Sequence, residues 1–328
     1  MASTERIEEK MTAVIRTSYG GPDALTLVEW NVPKPKAEEV LIQVRATSVN
    51  GSDWEGLTGK PFYARIGGVL KPKQPILGSD MSGVVVAVGS GVKKFQLGDE
   101  VVGNAMFKLG GFAEYACIAE SDTIIKPNGI TFAQAATLPQ AASVALQAVR
   151  DKGKIGSGKK ILINGAGGTV GSFAIQIAKT MQTDITAVDC ASKMKFLLEL
   201  GASQFVDYQK EDFVELDQKF DFILDVVGNR SISDLKKALA PDGVYSVAGG
   251  RILPALFLGA MASLFSKKHM GVFVWKPNSA DLSHVVQMCV NGSLSPIIDR
   301  CYGLSETAEA IAAVGEKRTQ GIGVVVIE

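Results

Sequence analysis

The chain has 328 residues, of which 46% are hydrophobic and 21% charged, and its 34 basic and 34 acidic residues give a formal net charge of +0. This length allows two domains with a large core, and the balanced charge offers no basic surface for nucleic acid. We therefore expect a soluble globular protein that does not bind nucleic acid.

The four cysteines, Cys117, Cys190, Cys289 and Cys301, are far apart and form no Cys-x-x-Cys pair. This spacing argues against a structural zinc site and a disulfide framework, and it fits a reducing compartment. Residues 1–10 are polar and include three glutamates. They lack the apolar core of a secretory signal and the acid-poor character of a transit peptide, so we expect a cytoplasmic protein.

Short β-rich runs separated by glycine and proline turns occupy the first part of the chain, which predicts a small all-β barrel. Within it, residues 48–54 are predicted to form a loop with polar side chains. Around Pro127 the pattern changes, and residues 131–150 are alanine-rich and helical, with an interruption at Pro139.

From Lys160 onward, predicted strands and helices alternate, which indicates a parallel sheet. Residues 252–265 are apolar but shorter than the roughly 20 residues that span a bilayer. They could form a buried helix, a lid, a dimer contact or a membrane-surface helix. The last two strands, near residues 297–299 and 323–327, are predicted to return to the first domain. The predicted domains are residues 1–128, residues 129–275, and a C-terminal return over residues 276–328.

An apolar strand, a tight glycine turn and a helix follow one another over residues 160–179. In the turn, Ala166, Gly168 and Gly171 replace a strict G-x-G-x-x-G pattern. We expect Ala166 to make the turn, Gly168 to let the backbone approach a phosphate, and Gly171 to let the helix pack close to the strand. Backbone N–H groups and the helix dipole would then bind a dinucleotide pyrophosphate, although an ordinary strand-to-helix turn has the same layout. The predicted cofactor contacts in this turn are Ala166, Gly167, Gly168, Thr169 and Val170.

Several short sequence motifs are spread along nearly the whole chain. In their order and spacing, they resemble the zinc-free, quinone oxidoreductase-like branch of the medium-chain dehydrogenase/reductase superfamily. The resemblance implies an α/β protein with a GroES-like β-barrel domain and a Rossmann domain with a doubly wound parallel sheet. It also implies a substrate cleft between these domains and, by analogy, a homodimer. The motifs occupy residues 47–53, 78–85, 95–101, 111–115, 136–139, 200–208 and 222–228.

Zinc alcohol dehydrogenases of this superfamily carry a cysteine ligand where this chain has Asn50, and Gly-His-Glu where it has residues 78–80, Gly-Ser-Asp. The chain has two histidines, His269 and His284, and both lie late in the sequence. A catalytic zinc site cannot be built from these residues, so no metal is predicted. Without a Lewis acid, a quinone or conjugated enone is a better hydride acceptor than a simple ketone.

Asn50 is the predicted catalytic residue, because its amide could donate to a substrate carbonyl or to the nicotinamide ribose. A loop-capping role explains the same asparagine equally well. Asp53 is expected to cap a turn or helix. Tyr63 could act as a phenol donor or could simply pack.

Asp189 ends the second strand of the parallel sheet, where a carboxylate can bind the ribose 2′-hydroxyl and repel a 2′-phosphate, which favours NAD. Ser192 and Lys193 follow, and a hydroxyl with a cation can hold the phosphate of NADP. Because this branch commonly uses NADPH, NADPH is the predicted cofactor, with NADH also possible. The resemblance places Tyr208 near the adenine, and it places further cofactor contacts at Gly228, Ala248, Gly249 and Gly250.

These observations predict a zinc-independent NAD(P)H-dependent oxidoreductase that reduces quinones or α,β-unsaturated carbonyls. Two alternatives stay open: an enoyl-thioester or lipid-enone reductase of the same fold, and a non-catalytic NADPH-binding protein. The predicted partners are a small-molecule acceptor and a second copy of the chain. No nucleic acid and no integral membrane span are predicted. The sequence does not identify the natural acceptor or the proton donor.

Overall fold

The computed structural model describes residues 8–66, 68–249 and 268–328. The chain divides into two compact units. The first contains Met1–Gln140, Pro277–Asn291 and Pro296–Glu328, and the second contains Ala141–Lys276 and Gly292–Ser295. The apolar segment 252–265 lies outside the described residues, so the four interpretations given for it stay predictions.

Strands dominate the first unit, and strands alternate with helices in the second. The strands are β1 Lys10–Arg16, β2 Leu25–Asn31, β3 Glu39–Val49, β4 Asp80–Val88, β5 Glu100–Asn104, β6 Tyr115–Ala119, β7 Thr123–Ile125, β8 Lys160–Asn164, β9 Asp184–Asp189, β10 Gln204–Asp207, β11 Phe220–Asp225, β12 Leu239–Val247, β13 His269–Val272, β14 Ile298–Gly303 and β15 Ile322–Val326. The α-helices are α1 Gly51–Thr58, α2 Phe132–Ala136, α3 Ser143–Gln147, α4 Thr169–Thr180, α5 Met194–Leu200, α6 Ile232–Ala238, α7 Ser279–Val290 and α8 Thr307–Gly315.

The first unit is built on a seven-stranded sheet in the order β14-β15-β3-β4-β5-β7, with β6 paired to β3. Strand β3 is long enough to pair with three neighbours, and most of its residues are buried. Strand β15 runs antiparallel to β3, with Val324 opposite Ser48. This pairing joins the C-terminal strands to the sheet of the first unit.

Helix α2 packs on strands of the barrel, although the sequence analysis placed residues 129–140 in the second domain. The Ser82 hydroxyl on β4 donates to the Phe132 carbonyl oxygen at 2.7 Å. The observed division lies after Gln140. Composition marks the change from strands to helices, but side-chain packing decides which core a helix joins, so the two boundaries differ.

The second unit is built on a six-stranded sheet in the order β10-β9-β8-β11-β12-β13. The strand pairs of this sheet are parallel throughout. The strand order changes direction between β8 and β11. Such a doubly wound sheet binds dinucleotides at the carboxyl ends of its strands. The predicted fold class is confirmed.

Asp225, at the carboxyl end of β11, joins three strand ends of this sheet. Its Oδ1 accepts hydrogen bonds from the Asn164 side-chain amide and from the backbone N–H groups of Val227 and Gly228. Its Oδ2 accepts from the Tyr245 hydroxyl of β12 at 3.0 Å. Since Asp225 is fully buried, these donors replace the water that a buried carboxylate loses.

No helix within the described ranges is long and apolar enough to cross a membrane.

A side chain at Gly83 would disrupt the pairing of β3 with β4. A Cβ there would overlap the Gln43 carbonyl oxygen and would lie 2.9 Å from the Gln43 carbonyl carbon, and backbone in a central strand pair cannot move away easily. We expect Gly83→Ala to lower the free energy of unfolding by about 1–3 kcal/mol, as overpacking does. Urea unfolding followed by circular dichroism measures the loss.

Gly271→Ala is the matched control, because Gly271 also lies in a strand and a Cβ there would meet nothing within 4 Å. Equal stabilities of the two variants would contradict the packing argument.

Candidate functional site

A buried carboxylate, Asp80, lies at the centre of a polar cluster in the first unit. Asp80 begins β4 and is fully buried. Its side-chain oxygens accept from the Asn104 amide, from the Ser48 hydroxyl at 3.2 Å, and from the Asn50 amide at 3.0 Å. The backbone N–H of Gln140 also donates to it, at 3.1 Å. Four residues from three separate chain segments therefore converge on one side chain.

Asn50 lies at the start of helix α1, where the sequence analysis placed a polar loop. That expectation is wrong for residues 51–54, because the first turn of a helix begins there. The backbone N–H of Asn50 donates to the Asp53 carboxylate at 2.8 Å, and the Asp53 N–H donates to the Asn50 carbonyl oxygen at 3.0 Å. Asp53 thus caps the helix as expected.

The side-chain amide of Asn50 donates to Ser48 Oγ and to Asp80 Oδ2, at 3.0 Å in each case. Both of its N–H groups therefore have acceptors within the cluster. Direct donation to a substrate would require one of these bonds to break. The catalytic role of Asn50 stays a prediction.

Burial raises the pKa of both carboxyl groups in this cluster. The pKa of Asp80 is raised to about 7, against the opposing effect of its amide and backbone donors. The pKa of Asp53 is raised to about 6, although the N–H groups of Asn50 and Gly78 favour its charged form. These groups therefore change charge closer to neutrality than exposed carboxylates do.

Gln140 is a member of this cluster that the sequence analysis did not identify. It lies in a π-helical turn, Leu138–Ala142, next to the predicted interruption at Pro139. Its side-chain Oε1 accepts from the hydroxyls of Ser52 at 3.1 Å and Ser79 at 3.3 Å. The break in helix periodicity was the available signal, since single π-turns often mark functional sites.

Tyr63 lies in a short 3-10 helix that follows α1, and its hydroxyl donates to Glu55 Oε1 on α1 at 2.9 Å. Burial raises the pKa of Glu55, and burial together with the neighbouring Glu55 raises that of Tyr63. A Tyr63 hydroxyl proton held by a carboxylate is less available to a substrate than that of a free phenol.

In the second unit, the glycine turn forms at the end of β8. Gly165, rather than Ala166, makes the sharp turn: its φ is +83°, a left-handed conformation that favours glycine. The N–H groups of Gly165 and Ala166 both donate to the Val188 carbonyl oxygen, at 3.0 and 3.2 Å. Ala166 is fully buried and its methyl group packs inside the unit. Ala166 lies within the same turn, next to the glycine that has the left-handed conformation.

The first turn of helix α4 presents backbone donors that fit a pyrophosphate. Within the described part of the chain, no acceptor is found for the N–H groups of Thr169 and Val170, and both residues are partly exposed. A Cβ on Gly171 would lie 2.6 Å from Ala166 Cα, so only glycine lets the helix begin so close to the turn. These features fit a dinucleotide phosphate.

The predicted ribose-binding residues gather at the end of β9. Asp189 Oδ2 accepts from the Gly167 N–H at 2.8 Å, and Oδ1 accepts from the Cys190 N–H at 2.8 Å. Lys193 Nζ lies 3.5 Å from Asp189 Oδ1, and the Tyr208 N–H donates to the Asp189 carbonyl oxygen at 3.2 Å. Ser192 is exposed and its hydroxyl lies 3.2 Å from Cys190 Sγ.

The remaining predicted cofactor contacts lie at the neighbouring strand ends. Gly228 has a φ of +62° and donates its N–H to Asp225 at 2.8 Å. Ala248 donates its N–H to the Asp225 carbonyl oxygen at 2.8 Å, and Gly249 follows it. Gly250 lies outside the described residues. As cofactor contacts, all of these positions stay predictions.

Comparisons with known proteins agree with this geometry. A family profile described as an alcohol dehydrogenase GroES-like domain matches residues 36–128, and one described as a zinc-binding dehydrogenase matches residues 200–325. The chloroplast envelope quinone oxidoreductase homolog of Arabidopsis thaliana is 34% identical over 319 residues, covering 92% of this chain and 94% of the relative. The chain belongs to the medium-chain dehydrogenase/reductase family.

Two further similarities place it among the reductases of that family. The chloroplastic NADPH-dependent alkenal/one oxidoreductase of A. thaliana is 36% identical over 264 residues, covering 75% of this chain and 66% of the relative. The quinone oxidoreductase from Coxiella burnetii has a TM-score of 0.89 and 28% identity, covering 97% of this chain and 100% of that one. This medium-chain reductase is an NAD(P)H-dependent oxidoreductase, which confirms the predicted family and enzyme class.

The prediction of a cytoplasmic location is wrong. Both Arabidopsis relatives are chloroplast proteins, and the comparisons point to an organelle. The acidic and polar composition of residues 1–10 does not by itself exclude an organellar location.

The residues at the expected zinc position do not fit a zinc ion, although one matching profile has zinc in its description. Asn50 and Ser79 replace thiolate and imidazole ligands, and the Asp80 oxygens are occupied by the donors described above. Across residues 8–66, 68–249 and 268–328, no group of three or more histidines, cysteines or carboxylates could hold a metal ion.

The raised pKa of Asp80 predicts an unusual dependence of stability on pH. A carboxyl whose native pKa of about 7 exceeds its unfolded value, near 4, binds more protons in the native state between those values. Its contribution to the free energy of unfolding is therefore present at low pH and is lost as the pH rises to 7.

The free energies of unfolding of the wild type and of Asp80→Asn should be measured by urea titration from pH 4.5 to 8. We expect the wild-type value minus the variant value to fall with rising pH by at least about 1.4 kcal/mol, the equivalent of one pKa unit. Asp217→Asn, which removes an exposed carboxylate, is the control. A difference that stays constant or rises would contradict the buried-carboxyl assignment.

Proposed function

We propose that this enzyme uses NADPH to reduce quinones and α,β-unsaturated ketones or aldehydes. The observation that carries the proposal is the cluster around Asp80, where amides and hydroxyls replace the ligands of a catalytic metal. Hydrogen-bond donors polarise a carbonyl less strongly than a metal ion does, so an acceptor that is already electron-poor suits this site. The activities named in the two Arabidopsis relatives support the same substrate classes.

When bound, the nicotinamide supplies a hydride, which adds to the β-carbon of an enone or to a quinone. One proton completes each reduction and gives a saturated carbonyl compound or a hydroquinone. This chain's part is to hold the pyrophosphate on the N–H groups of Thr169 and Val170 and to orient the acceptor carbonyl toward fixed donors.

The surroundings of Asp189 support NADPH over NADH. Both carboxylate oxygens accept backbone N–H groups of the unit itself, and Lys193 balances the charge at 3.5 Å. A carboxylate held in this way is less available to a ribose 2′-hydroxyl. Lys193 and the exposed Ser192 hydroxyl could then bind a 2′-phosphate, with Tyr208 beside the adenine.

The first test is NADPH oxidation, followed at 340 nm, with 9,10-phenanthrenequinone and with a simple enone such as 3-buten-2-one. We expect turnover with both acceptors, without added zinc and in the presence of EDTA. Tight NADPH binding without turnover of either acceptor would contradict the proposed function. No observation on the described residues favours the enoyl-thioester alternative, since it depended on residues 252–265.

Replacing Lys193 should weaken the binding of NADPH more than the binding of NADH. A hydrogen bond to a charged group contributes about 1.5–3 kcal/mol, so Lys193→Ala should raise the Kd for NADPH about 10- to 100-fold and change that for NADH much less. Fluorescence titration measures both constants. Lys195→Ala is the control, because Lys195 is an exposed lysine of the adjoining helix α5. An equal loss for both dinucleotides would show that Lys193 does not bind the 2′-phosphate.

We also propose that the enzyme is a homodimer. The resemblance to the quinone oxidoreductase-like branch supports it. Val274, which follows β13, is 66% exposed and offers an apolar contact to a second copy. Light scattering at micromolar concentration should give about twice the chain mass of 34.7 kDa. A monomer mass would refute this proposal.

A further inference from the structure

The amide of Gln140 differs from that of Asn50 in one respect that matters for catalysis. Both side chains belong to the cluster around Asp80, and both could donate to a carbonyl oxygen. The Asn50 amide already donates to Ser48 and Asp80. In the described part of the chain, the Gln140 side chain takes part in two hydrogen bonds, and both involve its oxygen.

Three contacts hold Gln140 in place, and none of the hydrogen bonds described for its side chain involves the amide nitrogen. The backbone N–H is bound by the buried Asp80 carboxylate at 3.1 Å. The hydroxyls of Ser52 and Ser79 donate to Oε1 from two different segments, one on helix α1 and one just before β4. Neither hydroxyl has another partner among the described residues. The hydrogen bonds to Oε1 therefore fix the orientation of the whole side-chain amide, including Nε2.

We propose that the side-chain Nε2 of Gln140 is the donor that binds and polarises the carbonyl oxygen of the acceptor. The inference deepens the proposed function and rests on it. Gln140 is partly exposed, whereas Asn50 is buried, so a small molecule can reach Gln140 without displacing the cluster. A donor held before the reaction begins stabilises the negative charge that hydride addition places on this oxygen, since it needs no reorganisation in the transition state.

The substrate dependence follows from the same argument. Hydride addition to a simple enone gives an enolate whose charge is concentrated on one oxygen, so it depends strongly on this donor. Hydride addition to 9,10-phenanthrenequinone produces an anion stabilised by its aromatic system and its second carbonyl group. Loss of the donor should therefore affect the enone more than the quinone.

Gln140→Met removes the donor, keeps a side chain of similar length and leaves the backbone bond to Asp80 in place. We expect a loss of about 100-fold in kcat for 3-buten-2-one, in the range measured for a lost oxyanion donor. The loss for 9,10-phenanthrenequinone should be less than 10-fold. The Kd for NADPH should be unchanged within twofold. Gln96→Met is the control, because Gln96 is an exposed glutamine distant from the cluster in the sequence.

Gln140→Glu tests the role of the amide nitrogen separately from that of the amide oxygen. The introduced carboxylate can still accept from Ser52 and Ser79, but it has no donor until it is protonated. We expect low enone activity at pH 8, with partial recovery relative to wild type as the pH falls toward 5.5. Wild-type activity of this variant at pH 8 would show that Gln140 does not donate to the substrate and would overturn the inference.

Ser52→Ala and Ser79→Ala test how the donor is oriented. Each should lower enone kcat about 3- to 10-fold, as expected for loss of one hydrogen bond of about 1 kcal/mol. Combined with Gln140→Met, neither should cause a further loss, because the group that they orient is gone. Additive losses of kcat would show that the serines do not act by orienting Gln140, and they would overturn that part of the inference.

The outcomes distinguish the inference from the proposed function. If the wild type reduces both acceptors and Gln140→Met retains enone kcat within twofold, the inference is wrong and the proposed function stands. If the wild type binds NADPH and reduces neither acceptor, the proposed function is wrong and this inference fails with it. Should Gln140→Met prove unstable in thermal melts, Gln140→Glu and the serine variants decide the question on the same assays.

Discussion

The polar part of the first unit depends on the burial of a single carboxylate. Asp80 is fully enclosed, and isolated burial of a charge is costly unless hydrogen bonds replace the lost water. Donors from β3, the start of α1, the end of β5 and the π-helical turn supply these bonds. The requirement to satisfy Asp80 therefore brings together segments that are far apart in sequence, and it sets the positions of their other side chains.

The second unit shows the same principle with a different carboxylate. Asp225 is also fully buried, and its donors come from β8, β12 and the turn after β11. Its effect is to hold adjacent strand ends in register at the edge where a doubly wound sheet binds its ligand. In each unit, a buried carboxylate with a complete set of donors organises the backbone next to the predicted site.

The parallel sheet and its glycine turn were predictable because their signals are local. Apolar runs of strand length alternate with helical patterns, and glycine marks the turn between them. The helix over residues 51–58 was missed because its sequence, rich in glycine and polar residues, resembles a loop. It is stabilised by the capping interaction of Asn50 with Asp53 and by the contact of Asp53 with Gly78, a residue far away in sequence. The glycine pattern predicted the position of the turn after β8. It did not show which residue has the left-handed φ, which the structure assigns to Gly165.

The site was less predictable than the fold, because a residue type does not show whether its donors are already engaged. Asn50 was a sound candidate by chemistry, and the structure engages both of its amide hydrogens. Gln140 carries the same functional group, but its hydrogen bonds to described residues are made by the oxygen and not by the nitrogen. The glycine turn shows the same distinction, since the Gly167 N–H is occupied by Asp189 while those of Thr169 and Val170 have no described acceptor. In both units, the donors that we propose to bind a ligand are those that the described buried carboxylates do not engage.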